Sequence, residues 1–159
     1  MPDTNPPTVI NFYSTTGEYG CFSNFSRHPV FLKGKRWPTS EHYFQAQKFA
    51  GTEHEEAVRR CKRPADAAQT GRSRKLPLRR DWESIKDQIM LEVVRAKFTQ
   101  HEDLKAVLLG TGAAKLVEHT ENDSYWGDGG DGGGKNRLGQ ILMRVREELR
   151  ASETNRPPE

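Results

Sequence analysis

"DWESIKDQIMLEVVRAKF", residues 81–98, decides the reading of this chain. Asp81 stands where an N-cap belongs, and Trp82, Ile85, Ile89, Val93 and Ala96 recur at three- and four-residue spacing, which draws one continuous apolar stripe along a helix. Upstream, Pro38 with Thr39 or Ser40 starts a second helix, "SEHYFQAQKFAG", with Gly51 as its stop. Further helices are predicted over 53–61 and over 64–70, the latter with Pro64 as its first residue and Gly71 as its end. Downstream, "HEDLKAVLL" runs to Gly110, and "RLGQILMRVREELR" places Leu138, Ile141, Leu142, Val145 and Leu149 on one face.

Strand signals are fewer. "VINFY" (9–13) is β-branched and aromatic, "VFL" and "RW" flank Lys33-Gly34-Lys35 as a small hairpin, and "KLVEH" (115–119) reads as a short strand or extended piece. There is no repeat and no strand–helix alternation, which argues against a doubly wound parallel sheet. The predicted fold class is α+β, a predominantly helical single domain over 9–150 with a small N-terminal β hairpin or sheet. Residues 1–8 and 151–159, rich in Pro, Thr, Asn and charge, are expected to be disordered tails.

The 159 residues suffice for one sizeable core. No apolar run approaches the roughly 18 residues that span a membrane, and the first thirty residues lack a basic segment followed by an apolar one, so the expectation is a cytoplasmic protein without a membrane partner. Cys21 and Cys61 have neither disulfide-framework nor metal-ligand spacing and are expected as reduced thiols. The net charge of +3 is uneven: "RRCKRPADAAQTGRSRKLPLRR" (59–80) holds nine Lys/Arg against one Asp. That segment is either a solvated surface or an anion site for phosphate, on a small ligand or on nucleic acid. The lack of interleaved aromatics favours phosphate over stacked single strands.

"NDSYWGDGGDGGGKNRLG" (122–139) packs seven of the fourteen glycines and three aspartates into one loop. Gly127, Gly129 and Gly132 satisfy the dinucleotide spacing, but no strand feeds straight into them and nearly any register matches so glycine-rich a tract. Gly129 to Lys135 begins like a phosphate loop, yet Asn136 stands where magnesium chemistry needs Ser or Thr. No register fits a calcium loop. What survives is a backbone able to approach a ligand, with Gly127 at its start, feeding the positive end of the last helix. Trp126 beside Asp128 suits a planar heterocycle whose edge or sugar the carboxylate holds. A plain surface loop is the other reading.

In "SEHYFQAQKF" Glu41, Gln45 and Lys48 share a helix face. Ordinary helix electrostatics also accounts for Glu41 and Lys48. In "STTGEYGCFSNFS" the aromatics anchor the backbone and leave Ser23 and Asn24 free to hydrogen-bond a ligand; anchoring alone also accounts for the segment. The histidines at 42, 54, 101 and 119 show no pairing that makes a metal site or a triad. Cleaving a glycosidic bond through an oxocarbenium-like transition state needs carboxylates such as Glu41 and Asp128. Lys48 offers a second route, a Schiff base with the opened sugar, if burial or a cationic neighbour makes its amine neutral. Both routes remain open at the level of sequence.

The blocks "INFYSTTGEYGCFSNF", "WPTSEHYFQAQKF", "RRDWESIKDQIM", "RAKFTQH", "KLVEHTENDSYWGDGG" and "GKNRLGQILM" together resemble the YbiA-like, or NADAR-domain, family of N-glycosidases, in order from about residue 10 to 149. The resemblance implies a mostly helical YbiA-like α+β fold, no metal and no other cofactor. It implies hydrolysis of the bond between a phosphorylated ribose and an amino-pyrimidine or purine, above all in the first two intermediates of riboflavin biosynthesis, as metabolite damage control. Removal of ADP-ribose from guanine in DNA or RNA is the family's other activity, and a non-catalytic ADP-ribose or nucleic-acid binding module is a third reading. By motif, the resemblance makes Glu41, Lys48 and Asp128 catalytic, and Ser23, Asn24, Trp82, Trp126, Gly127 and Asn136 substrate-binding. Arg72 and Arg74 of the basic segment would take the phosphate.

Overall fold

The computed structural model describes residues 8–155, and the outer parts of both predicted tails lie outside that range. It is the predominantly helical α+β structure expected, with six helices and four short strands among the described residues. The chain divides into two compact units, Asn24–Gln100 and residues 8–23 with 101–155.

In the first unit, β2 (Val30–Leu32) and β3 (Lys35–Trp37) form an antiparallel hairpin in the register Val30↔Trp37. Lys33 and Gly34 both take positive φ, 55° and 71°, the backbone of a tight two-residue hairpin turn. The outer edge of β2 is closed by a side chain: Gln100 accepts from the Phe31 N–H at 2.8 Å and donates to its carbonyl at 2.9 Å. Thr39 caps α1 (Ser40–Gln47) by accepting the His42 N–H, which decides between the two predicted caps. This helix stops at Gln47, four residues short of Gly51, although Gly51 does take a left-handed turn at φ 81°. Every residue of α1 is buried, because it packs against α2 (Glu53–Arg59), α3 (Pro64–Gly71) and α4 (Trp82–Gln100). A helix surrounded in this way carries its polar residues into the interior.

The apolar stripe predicted for α4 holds at Trp82, Val93 and Ala96, but Ile85 and Ile89 are only half-buried. Met90, Leu91, Val94 and Phe98 complete the buried face, so packing on more than one side widens the face beyond the stripe.

In the second unit, β1 (Val9–Phe12) pairs in parallel with β4 (Lys115–Glu118), Ile10 opposite Leu116. The sheet expected at the N-terminus is therefore two separate two-stranded sheets among the described residues, and one joins the N-terminal strand to a strand that begins at Lys115. Sequence periodicity shows strands but not partners so far apart. α5 (Glu102–Gly110) packs on α6 (Arg137–Thr154), whose five predicted core residues are all buried. α6 continues to Thr154, so residues 151–154 are helical rather than part of a disordered tail. Buried Arg146 donates to the Ala114 carbonyl at 2.7 Å and to Thr111 at 3.0 Å, fixing the turn before β4. No described helix is long and apolar enough to cross a membrane.

Gly139 sets the distance between α6 and β4. A Cβ there would meet the Leu116 carbonyl oxygen at 2.1 Å. Gly139→Ala should therefore push the helix off the strand, at a cost of about 1–3 kcal/mol, lowering the melting temperature by several degrees. Calorimetry on the purified variant checks it, and an unchanged melting temperature would show that the contact yields freely.

Candidate active site

The first unit gathers one reactive cluster. Glu41 sits in the first turn of α1, 7% exposed, and its Oε1 accepts a hydrogen bond from Gln45 Nε2 at 2.7 Å. Two turns after Glu41, Lys48 caps α1, and its Nζ donates to the Gly71 carbonyl at 3.2 Å. Trp82 opens α4 and is buried edge-to-face on Phe44 with ring centroids 5.1 Å apart, while Lys48 Nζ lies 5.8 Å from the indole centroid. Burial is the first cause that pushes the Lys48 amine below the ordinary lysine range; Glu41 opposes the shift, Arg72 and Lys86 add to it, and Glu83 opposes it. The result is a carboxylate and a destabilised ammonium within electrostatic reach of each other.

The basic segment supplies the lid over this helix end. Arg79 donates its backbone N–H to the Lys48 carbonyl at 3.0 Å and its Nη1 to the Gln47 carbonyl at 3.2 Å, placing a cation at the negative end of α1. Four of the nine cations pair with acids: Arg59 and Arg60 with Glu56, Arg63 with Asp66, Arg79 with Asp81. Glu56 and Asp81 lie outside the segment, so counting charge within it overstated the positive surface. Arg72 and Arg74 are exposed and have no acidic partner among the described residues.

Asn24, expected to face a ligand, is committed to the protein. Ser40 Oγ donates to its Oδ1 at 2.9 Å, its Nδ2 donates to Met90 Sδ at 3.4 Å, and its carbonyl takes the Glu41 N–H at 3.1 Å. Its task is to seat the start of α1 and thereby Glu41. Buried His42 is likewise internal: it donates from Nε2 to the Cys61 carbonyl at 2.8 Å and accepts from Thr39 at Nδ1, and burial lowers its pKa, so it stays neutral.

The glycine loop of the second unit is built for itself. Asp123 Oδ1 accepts the N–H groups of Tyr125 and Trp126 at 2.9 and 2.8 Å. The N–H groups of Lys135, Asn136, Arg137 and Leu138 are taken by the carbonyls of Ser124, Gly127, Tyr125 and Trp126. The first N–H groups of α6, those of Arg137 and Leu138, are therefore taken by the loop. Gly127 is tight against backbone rather than open to a ligand, since a Cβ would meet the Glu118 and Asp123 carbonyls at 2.8 and 2.9 Å. Asn136, in a left-handed turn at φ 52°, is also structural. Its amide accepts the Glu118 N–H at 3.0 Å and donates to the Leu116 carbonyl at 2.9 Å, taking the place of a third strand beside β4. Ser23 is buried, with its N–H on the Gly20 carbonyl at 3.2 Å.

Asp128 is buried, and three donors hold its carboxylate: His119 Nδ1 at 2.7 Å, the Thr120 N–H at 3.0 Å and the Gly130 N–H at 2.9 Å. These bonds, that from His119 first, pull its pKa down to about 2. Of the two roles that glycosidic cleavage offers Asp128, acid/base work or oxocarbenium stabilisation, a carboxylate fixed as an anion by three donors suits the second. His119, half-exposed and oriented by that anion, gave no signal in the sequence because its partner lies nine residues away around the loop. Trp126 is half-buried and edge-to-face with Tyr125. A cavity of about 290 Å³ in the same unit is lined by residues 11–14 and 16–19, upstream of the Ser23–Asn24 pair chosen from sequence. Neither cysteine forms a disulfide, and no group of three or more His, Cys, Asp or Glu among the described residues could hold a metal ion.

Residues 11–150 match the NADAR domain family. The N-glycosidase YbiA of Escherichia coli is 61% identical over 142 residues, 89% of each chain. A riboflavin biosynthesis protein of Vibrio vulnificus is 44% identical over 140 residues, 88% of this chain and 38% of that protein. The NMR structure of E. coli YbiA superposes with a TM-score of 0.90 at 55% identity, covering 98% of this chain and 93% of that one.

Proposed function

This chain belongs to the NADAR domain family, and from that premise we infer that it is an N-glycosidase, a hydrolase acting on riboflavin-biosynthesis intermediates. Its substrates are the first two of them, in which a phosphorylated ribose is joined through nitrogen to an amino-pyrimidine. The observation that carries the residue assignment is the interior polar face of α1, where Glu41 is held by Gln45 and the Lys48 amine is buried against Trp82 and the Gly71 carbonyl.

Burial disfavours the Lys48 ammonium, which makes the neutral amine accessible as a nucleophile. As the neutral lysine nitrogen bonds to the anomeric carbon and the bond to the base breaks, the Glu41 carboxylate takes one proton from that nitrogen and passes it to the departing heterocyclic amine. As the sugar ring opens, the remaining proton of the lysine nitrogen passes to the ring oxygen, which leaves an imine on Lys48. Water adds to that carbon, giving a proton to Glu41, and the lysine leaves with the proton returned. The sum is one water consumed, one free heterocyclic amine and one free aldehyde sugar. Arg72 and Arg74, with no acidic partner among the described residues, are the cations for the phosphate.

Incubation with each freshly prepared intermediate should release ribose 5-phosphate, measured against an enzyme-free control because these compounds decay unaided. ADP-ribosylated guanine oligonucleotides form the parallel arm. Turnover only in that arm would move the substrate to nucleic acid, and salt-sensitive binding without turnover in either would make the chain a binding module.

A further inference from the structure

We propose that Gln45 and Gly71 are a positioning pair for the reaction: Gln45 orients the Glu41 carboxylate, and Gly71 is the only residue type that leaves Gln45 room to do so. The proposal rests on the assignment of Glu41 above. Gln45 is 4% exposed and lies one helical turn from Glu41, with Nε2 2.7 Å from Oε1. Its own Oε1 is buried without a hydrogen-bond partner, a state that costs free energy and is rare in folded proteins. Reversing the amide would not relieve it, because the oxygen would then face the Glu41 carboxylate, acceptor against acceptor. The amide is held in an arrangement poor for itself and good for the carboxylate.

Gly71 makes that arrangement possible. It is the last residue of α3, its φ is not positive, and in a helix alanine is the better residue, so the backbone gives no reason for glycine. Space does: a Cβ at position 71 would stand 2.1 Å from Gln45 Oε1 and 2.8 Å from Gln45 Cβ and Cδ. The same residue's carbonyl accepts the Lys48 Nζ hydrogen bond at 3.2 Å. One glycine thus fixes the carboxylate through Gln45 and the amine directly.

The test is a set of steady-state measurements on Gln45→Leu, Gln45→Met and Gly71→Ala, each also in the Glu41→Gln background, with melting curves to establish folding. Gln45→Leu should lower kcat about 10- to 100-fold with KM little changed, as expected for a displaced reacting group. In the Glu41→Gln background the same change should cost less than about twofold, the mark of residues acting as one unit. Gly71→Ala should lower kcat in wild type and lose most of that effect when Gln45→Ala opens the space. A kcat for folded Gln45→Leu within about twofold of wild type, or equal losses in both backgrounds, would overturn the proposal. If Gln45→Leu does not fold, Gln45→Met is judged by the same criteria. Full activity in Glu41→Gln would instead overturn the assignment of Glu41, a result separable from failure of the pair.

Discussion

Glu41→Gln should lower kcat by about 10²- to 10⁴-fold, the range of a positioned acid–base group, with KM changed far less. The substitution preserves volume and can still meet the Gln45 amide, so the fold should survive. Lost are the negative charge beside Lys48 and the capacity to carry a proton to the leaving amine. Stopped-flow or discontinuous release assays on the riboflavin-biosynthesis intermediates measure it. Retention of more than about a tenth of wild-type kcat would exclude a proton-transfer role for Glu41.

Lys48→Arg should be at least as damaging, about 10³-fold or more, although it conserves the charge. An arginine stays protonated throughout the accessible pH range and cannot add to a carbonyl. If Lys48 acted only as a fixed cation, arginine would retain much of the activity. Borohydride added during turnover should reduce the imine and leave a sugar adduct on wild type, read by mass spectrometry at residue 48 and absent from the variant. No adduct with full turnover would replace the covalent route by direct attack of water. The pH dependence has a definite sign. Because burial lowers the Lys48 pKa, the neutral amine forms below the ordinary lysine range, and kcat/KM should rise with pH through that lowered value. Arg72→Ala removes a cation that contributes to the lowering, so this limb should move to higher pH; an unmoved limb would detach it from Lys48.

Several assignments drawn from adjacent residues correspond to the structure because their causes are local. Thr39, Pro64 and the Lys33-Gly34 turn mark element boundaries through the chemistry of one or two residues. The spacing of Leu138, Ile141, Leu142, Val145 and Leu149 is the face of α6 that is buried. Gly51 misled by four residues because a left-handed glycine ends a turn wherever the turn lies, and α1 had already ended at Gln47.

The chemistry of the polar residues was legible only as composition. Asn24, Asn136 and Asp128 are the types that bind ligands, and each is engaged by backbone or side chains 16, 18 and 9 residues away. Gly127 and Gly139 carry no mark distinguishing space for a ligand from space for another strand of the same protein. Identity and order of residues were enough to establish the helical α+β class and the shared face of Glu41, Gln45 and Lys48, since periodicity is a property of neighbours along the chain. Which donors and acceptors remain for substrate was settled by folding, because a hydrogen bond of 2.7 Å depends on where distant segments come to rest.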